Sequence, residues 1–259
     1  MTASDMTSFD EVYGLPDPRG YFAQLGPYDY RAPHHGQRVF RELIGELPPE
    51  GRVMLDICCS YGINAALVNH DVTLDELYQR YTSTKAAELS TGELIEWDRE
   101  FYAARRLPEA AGSIGIDVSR PAVAYALAVG LLDEGYCEDL ETGEPDEELS
   151  RAAGGVGLIT VTGGVAFLTE RTFGRLLSAV GHPVPVAAFV LRTCDFGGVV
   201  ARLEEHGLTV ERSDGTYPQR RFTDEGEQRR AVETVIALGE DPTGKESEGW
   251  YHSRLYVGR

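Results

Sequence analysis

Val53-Met54-Leu55-Asp56-Ile57-Cys58-Cys59-Ser60-Tyr61-Gly62-Ile63-Asn64-Ala65-Ala66-Leu67 is the stretch on which the fold turns. It opens as a short apolar run interrupted by Asp56. A run of this kind predicts a strand of a parallel sheet, which is covered on both faces and need not alternate. A tight turn of small residues follows, and then a helix starting near Asn64. Small side chains at 58, 60 and 62 let a ligand approach the backbone, and the first helical turn aims free N–H groups at it. A second acidic strand end, Ile114-Gly115-Ile116-Asp117-Val118-Ser119, lies further on.

Upstream of this stretch, residues 1–33 are rich in Gly, Pro, Asp and Tyr. They read as ordered loop with one short helix around residues 21–25. A helix over 34–47 follows, with Val39, Phe40, Leu43, Ile44 and Leu47 on one apolar face, and Pro48-Pro49-Glu50-Gly51 ends it. Downstream, Thr73 and Glu76 form a capping box that starts a helix running through Tyr78 and Tyr81. Another helical stretch covers about 86–106. Asp56 and Asp117 are thus separated by far more than the ~20 residues of a compact dinucleotide unit, and residues of about 71–110 read as a helical insertion.

Beyond the insertion α/β alternation resumes. A strand over 113–117 leads into a helix capped by Ser119, with Pro121 in its first turn. The acidic tract 138–148 leads to a strand over 156–161, the turn Thr162-Gly163-Gly164 and a helix over 169–180. A strand over 186–191, a helix over 199–206 closed by Gly207, and an antiparallel pair over 208–213 and 250–257 complete the chain. This order predicts a doubly wound α/β sheet with ligands at the carboxyl ends of its strands.

The acidic strand end at Asp56, Gly62 at the last glycine of the turn, and Gly115-Ile116-Asp117-Val118-Ser119 together resemble class I S-adenosylmethionine (SAM) dependent methyltransferases. The late antiparallel pair resembles that family's sheet edge. The resemblance implies a mostly parallel seven-stranded sheet, with an N-terminal lid and helix over residues 1–50 and a SAM-binding domain over 51–259. In this sequence Cys58 and Ser60 stand where the first two glycines of the family's turn usually are. The resemblance implies that Asp56 accepts from the amino group of the methionine part and that Asp117 receives both ribose hydroxyls, since a carboxylate offers two acceptor oxygens. It extends cofactor contact to Cys58, Ser60, Tyr61, Gly62 and Asn64 around the turn, to Val118, to Glu138 or Asp139 beside adenine, and to Thr162 and Gly163 at the methyl end. An acid at 117 also fits the ribose of NAD, but two glycines of a pyrophosphate turn are missing.

The N-terminal Tyr28-Asp29-Tyr30-Arg31-Ala32-Pro33-His34-His35 is dense in polar aromatics. In similar enzymes such a segment covers the cofactor, so Tyr28 and Tyr30 are expected at its carboxylate or sulfonium. His34 or His35 is the expected general base, because histidine titrates near neutral pH. Arg38, one turn on, is expected at a cofactor or substrate carboxylate. The alternative for the histidines is a solvent-facing helix start. Trp97, Tyr102 and Trp250 read as packing residues.

With 42% hydrophobic and 25% charged residues the 259-residue chain has an ordinary globular composition. It contains no apolar run near the ~20 residues that span a membrane. Residues 1–10 carry neither the basic nor the apolar region of a signal peptide, so cytoplasmic is the expected location. A net charge of −18 opposes the phosphate neutralisation on which nucleic-acid binding depends. Only Gln219-Arg220-Arg221 looks locally basic near the surface. The charge favours a small-molecule partner over nucleic acid or membrane. Cys58, Cys59, Cys137 and Cys194 match no zinc template and read as reduced, with a reactive thiol at Cys58 or Cys59 as the alternative; no metal is expected. No acidic-Pro-Pro-aromatic motif follows the fourth strand, which weighs against amino-group methylation of that design. The expected activity is transfer of the SAM methyl group to a small metabolite. One rival is attack on the aminopropyl arm, as in azetidine-2-carboxylate synthases, with release of methylthioadenosine. The other is a non-catalytic SAM-binding module.

Overall fold

A computed structural model describes residues 6–259; residues 1–5, part of the stretch read as lacking a signal peptide, lie outside the described ones. Eight strands form one sheet: β1 (Val53–Ile57), β2 (Gly112–Ile116), β3 (Glu134–Tyr136), β4 (Leu158–Val161), β5 (Val186–Leu191), β6 (Val210–Arg212), β7 (Tyr217–Arg221) and β8 (Trp250–Gly258). Their order is β3-β2-β1-β4-β5-β8-β6, with β7 also on β8. The pairs among β1 to β5 are parallel. β8 runs antiparallel to β5 along one edge, and to β6 and β7 along the other.

The helices are α1 (Asp10–Tyr13), α2 (Arg19–Leu25), α3 (Ala32–Glu46), α4 (Ile63–Asn69), α5 (Leu74–Tyr81), α6 (Thr84–Glu88), α7 (Thr91–Ala103), α8 (Arg120–Ala128), α9 (Glu147–Ala153), α10 (Glu170–Val180), α11 (Gly197–Glu205) and α12 (Glu225–Ala237). Side chains alternate across the strands and so divide between two layers. Leu55, Ile57, Ile159, Val161 and Val186 pack on one face against Leu149, Phe173, Leu176, Leu177 and Leu203 of α9 to α11. Met54, Leu158, Ala187 and Phe189 face Phe40, Leu43, Ala65, Val123 and Ala126 of α3, α4 and α8. This is the doubly wound arrangement expected.

Several elements differ from the sequence reading, which also left α1, β3 and α12 unplaced. The sheet's main order holds seven strands, the number expected, and β7 adds an eighth on β8. β7 went unread because its pairing is irregular, with a register shift between Pro218 and Arg220. Within β7, Gln219 and Arg220 are buried, so this tract is not the surface basic patch it resembles. Arg220 is held by Glu227, Nη2 to Oε1 at 2.7 Å. Second, the single helix expected over 86–106 is two, because Leu89 is extended and Ser90 starts α7 with its own capping box to Glu93. Third, the acidic tract ends in a helix, α9, capped by Asp146.

The N-terminal segment is built into the core rather than laid over it. Val12, Tyr21, Phe22 and Leu25 are buried with Leu67, Leu77, Tyr81, Leu94 and Tyr125. Phe22 stacks on Tyr81 with centroids 4.7 Å apart. Arg19 Nη1 donates to the carbonyls of Ala86 and Leu89 at 2.9 and 2.7 Å. Burial of several large side chains stabilises by about 1.5–3 kcal/mol each, and this packing ties the segment to α5, α7 and α8.

Candidate active site

A cavity of about 680 Å³ opens at the carboxyl ends of β1, β2 and β4, with Tyr13, Tyr21, Tyr30 and Pro33 forming one wall. Its floor is the turn after β1. Cys58, Ser60 and Gly62 have φ of 56°, 52° and 77°. The alternating left-handed conformation of a glycine-rich turn is therefore present although two of its glycines are not. A Cβ in that region costs about 1–2 kcal/mol per residue. The fold holds the strain because the turn is pinned: Cys59 N–H donates to Ile116 O at 3.1 Å and Ser60 N–H to Asp117 Oδ2 at 2.9 Å. Opposite, Gly164 (φ 70°) leaves room for Cys58; a Cβ there would lie 2.7 Å from Cys58 Sγ.

Asp117 follows β2 and lines the cavity. Its Oδ1 accepts from Ser119 N–H at 2.8 Å, while Oδ2 takes the Ser60 bond. Each oxygen keeps a second lone pair for a ligand. Burial pushes its carboxyl up from the usual carboxylate range, and the backbone amides oppose the rise. Beside it Val118 is 69% exposed although apolar, and it lines the same cavity. Glu138 and Asp139 reach the cavity from the segment after β3. Glu138 Oε1 and Ser60 Oγ are buried without a hydrogen-bond partner. Two orphaned polar atoms in one cavity wall mark places where a ligand's polar groups fit. Burial pushes the Glu138 carboxyl up.

Tyr30, Cys58, Ser60, Asn64, Asp117, Val118, Glu138, Asp139, Thr162 and Gly163 are thus brought together from five chain segments. Tyr30 stands above Gly163, where a Cβ would lie 2.5 Å from its Oη. Cys58 and Cys59 are both pushed well above the usual thiol range, first by burial, which disfavours a reactive thiolate at neutral pH.

The remaining expected residues lie elsewhere. Tyr28 packs edge-on against Phe9, 5.6 Å between centroids, and is absent from the cavity wall. His35 points away: its Nε2 bonds Pro218 O at 2.8 Å, and its ring sits 5.3 Å from Tyr217. Burial lowers its basicity. His34 is exposed beside a separate surface hollow with Asp29, Arg31 and Asp75. Arg38 is 85% exposed, 3.4 Å from Glu42 one turn on, and reaches no cavity. These three lie on α3, whose inward face is apolar, and a polar side chain at 34 or 38 turns out to solvent. Tyr61 is an anchor, its hydroxyl donating to the carbonyls of Val12 and Leu15 at 2.6 and 2.9 Å. Gly62 faces α8, where a Cβ would lie 3.1 Å from Ala126. Asp56 is fully buried beneath the cavity and absent from its wall. Burial pushes its carboxyl up to about 7, against donors from Asn64 and Thr160.

Sequence reasoning missed Tyr13, Tyr21, Pro33, Glu141 and Phe167, all in the cavity wall. Tyr13 and Tyr21 share the Gly- and Pro-punctuated segment that drew attention to Tyr28 and Tyr30. Glu141 is occupied by Thr169 N–H (2.7 Å) and the Thr172 hydroxyl (2.7 Å), closing the start of α10. No group of residues suited to a metal ion occurs among the described residues.

No family model matches the chain, and no curated protein matches it. Among solved structures it is similar to magnesium protoporphyrin IX methyltransferase from Synechocystis with bound SAM, at 12% identity over 88% of this chain and 79% of that one (TM-score 0.43). It is also similar to a TehB-like SAM-dependent methyltransferase from Corynebacterium glutamicum, at 16% identity over 85% and 86% (TM-score 0.40). A SAM-dependent methyltransferase from Geobacter sulfurreducens in complex with S-adenosylhomocysteine matches at 13% identity over 87% and 90% (TM-score 0.39). The strand order, with β8 reversed between β5 and β6, is by itself that of the class I methyltransferase-like α/β fold.

Proposed function

We propose that the chain is a SAM-dependent methyltransferase acting on a small-molecule metabolite. The observation that carries this reading is Asp117, whose carboxylate joins the strained turn after β1 to the end of β2 and offers its free lone pairs to the cavity. Two acceptors at carboxylate spacing suit the vicinal diol of a ribose. Val118 supplies an apolar platform for the base, and the orphaned Glu138 Oε1 suits an exocyclic amine. Tyr13, Tyr21 and Tyr30 line the opposite wall, and an aromatic ring face attracts a sulfonium cation. SAM supplies, when bound, a methyl group on that sulfonium that passes to a lone pair of the acceptor and leaves S-adenosylhomocysteine.

The charged residues in the cavity wall are Asp117, Arg120, Glu138, Asp139 and Glu141, all on segments that follow β2 and β3. The turns after β1 and β4 and the N-terminal wall contribute Cys58, Asn64, Thr162 and the tyrosines, which are neutral. The chain's own work at that end is therefore to align the acceptor and exclude water. An acceptor that arrives with a free lone pair suits such a site, since His34 and His35 stand outside it.

Calorimetric titration tests the cofactor. SAM and S-adenosylhomocysteine are expected to bind in the micromolar range, on the order of −8 kcal/mol, and NAD far more weakly. Tighter binding of NAD overturns the reading.

A further inference from the structure

Asp56 is the acidic residue that the family resemblance places at the ligand's amino group, yet it is 0% exposed and outside the cavity wall. Between it and the cavity stands Asn64. Asn64 Nδ2 lies 2.9 and 3.1 Å from the two oxygens of Asp56, and Thr160 donates to Oδ1 at 2.8 Å. The Asn64 group that faces both oxygens is the NH2, which together with the Thr160 hydroxyl favours the charged form that burial opposes. That fixes the carboxamide. Thr162 Oγ1 lies 3.1 Å from Asn64 Nδ2 and 3.2 Å from Asn64 Oδ1, so its hydroxyl serves one of the two and Oδ1 keeps at least one lone pair.

The electrostatics point the same way. No side chain among the described residues forms an ion pair with Asp56, and the causes that act on its carboxyl are burial, two neutral donors and the like charge of Asp117. A buried carboxylate without a cation is costly, and a cationic ligand group one side chain away offsets that cost.

We propose that Asp56 is a positioning residue, and that the Asn64 carboxamide it orients accepts the hydrogen bond from the ammonium group of the bound amino-acid arm. The assignment rests on the SAM reading above. It differs from a direct Asp56–ammonium contact in a measurable way: Asp56 acts only through Asn64.

A double-mutant cycle read with two ligands tests it. S-adenosylhomocysteine carries the amino-acid arm, whereas methylthioadenosine shares the nucleoside and thioether but ends in a methyl group. Asp56→Asn and Asn64→Ala are each expected to weaken S-adenosylhomocysteine about tenfold or more, leaving methylthioadenosine within about twofold. With Asn at 56 the neighbouring amide is free to turn its NH2 to the cavity, where it repels an ammonium. The double variant should bind no worse than the weaker single one, because both substitutions remove the same interaction. Additive losses, or no loss with Asp56→Asn, overturn the proposal. So does an equal loss of both ligands, which makes Asp56 and Asn64 mere supports of the turn. Melting temperatures are measured alongside: if Asp56→Asn does not fold, Asn64→Ala alone must still show the selective loss, and an unselective result there overturns the proposal. If the wild-type protein binds neither ligand, the SAM reading itself has failed.

Discussion

Asp98→Ala is expected to lower folding stability by about 3–5 kcal/mol, the cost of stripping one partner from a buried ion pair. Asp98 is fully buried at the centre of the cluster that joins the N-terminal wall to α5, α7 and α8. It accepts from Arg80 Nε at 2.7 Å, from the Tyr81 hydroxyl at 2.7 Å and from the Tyr125 hydroxyl. Arg80 is itself 9% exposed, with its guanidinium 3.3 Å from the Trp97 ring centroid. Without the carboxylate the Arg80 cation stays buried beside an aromatic ring and loses its counter-charge. The Tyr125 hydroxyl loses its acceptor, while Tyr81 keeps a bond of 2.9 Å to Tyr102. Asp98→Asn retains an acceptor oxygen without the charge and should fall between the two. Chemical denaturation gives both values; a wild-type midpoint for Asp98→Ala contradicts this account of the helical region between α4 and β2.

Asp117→Ala is expected to weaken S-adenosylhomocysteine by about 3 kcal/mol, roughly a hundredfold in Kd. Two losses combine. The ribose acceptor disappears, and the N–H groups of Ser60 and Ser119 lose the carboxylate that holds the strained turn against β2. Cys58 and Ser60 stay in left-handed conformations only while their surroundings dictate it, so the turn should relax and the cavity floor with it. Asp117→Asn keeps one acceptor oxygen but presents an NH2 to one of those two N–H groups, and should lose less. Unchanged affinity in a folded Asp117→Ala protein places the ribose elsewhere.

The parts of this molecule that were legible in the sequence are those fixed by neighbours along the chain. The apolar run ending at Asp56, the Thr73–Glu76 capping box and Ser119 ahead of Pro121 each carry their signal within a few residues, and each stands where it was expected. The Ser90–Glu93 box was equally visible, and the continuous helical pattern over it hid the break at Leu89. β7 was not legible, because Arg220 is buried by partners on other elements, Glu227 seven residues away and the rings of Phe9 and Tyr251. The same holds at the site. Asp117 could be placed by its pattern, since a strand end followed by a capped helix determines which way it points. Asp56 has an equally good pattern, yet a residue eight positions on, Asn64, screens it from the cavity. His35 turns to a carbonyl of β7, a strand the sequence did not reveal. Contacts between distant segments decide such cases, and one sequence carries no record of them.

Methyl transfer is tested most directly by incubating the purified protein with SAM and a panel of small-molecule acceptors, and separating the nucleoside products. The account predicts S-adenosylhomocysteine, accumulating with an acceptor present and matched by an acceptor heavier by one methyl group. Methylthioadenosine formed without any acceptor would contradict it and assign the chemistry to the aminopropyl arm, and SAM bound but never consumed would make the protein a binding module.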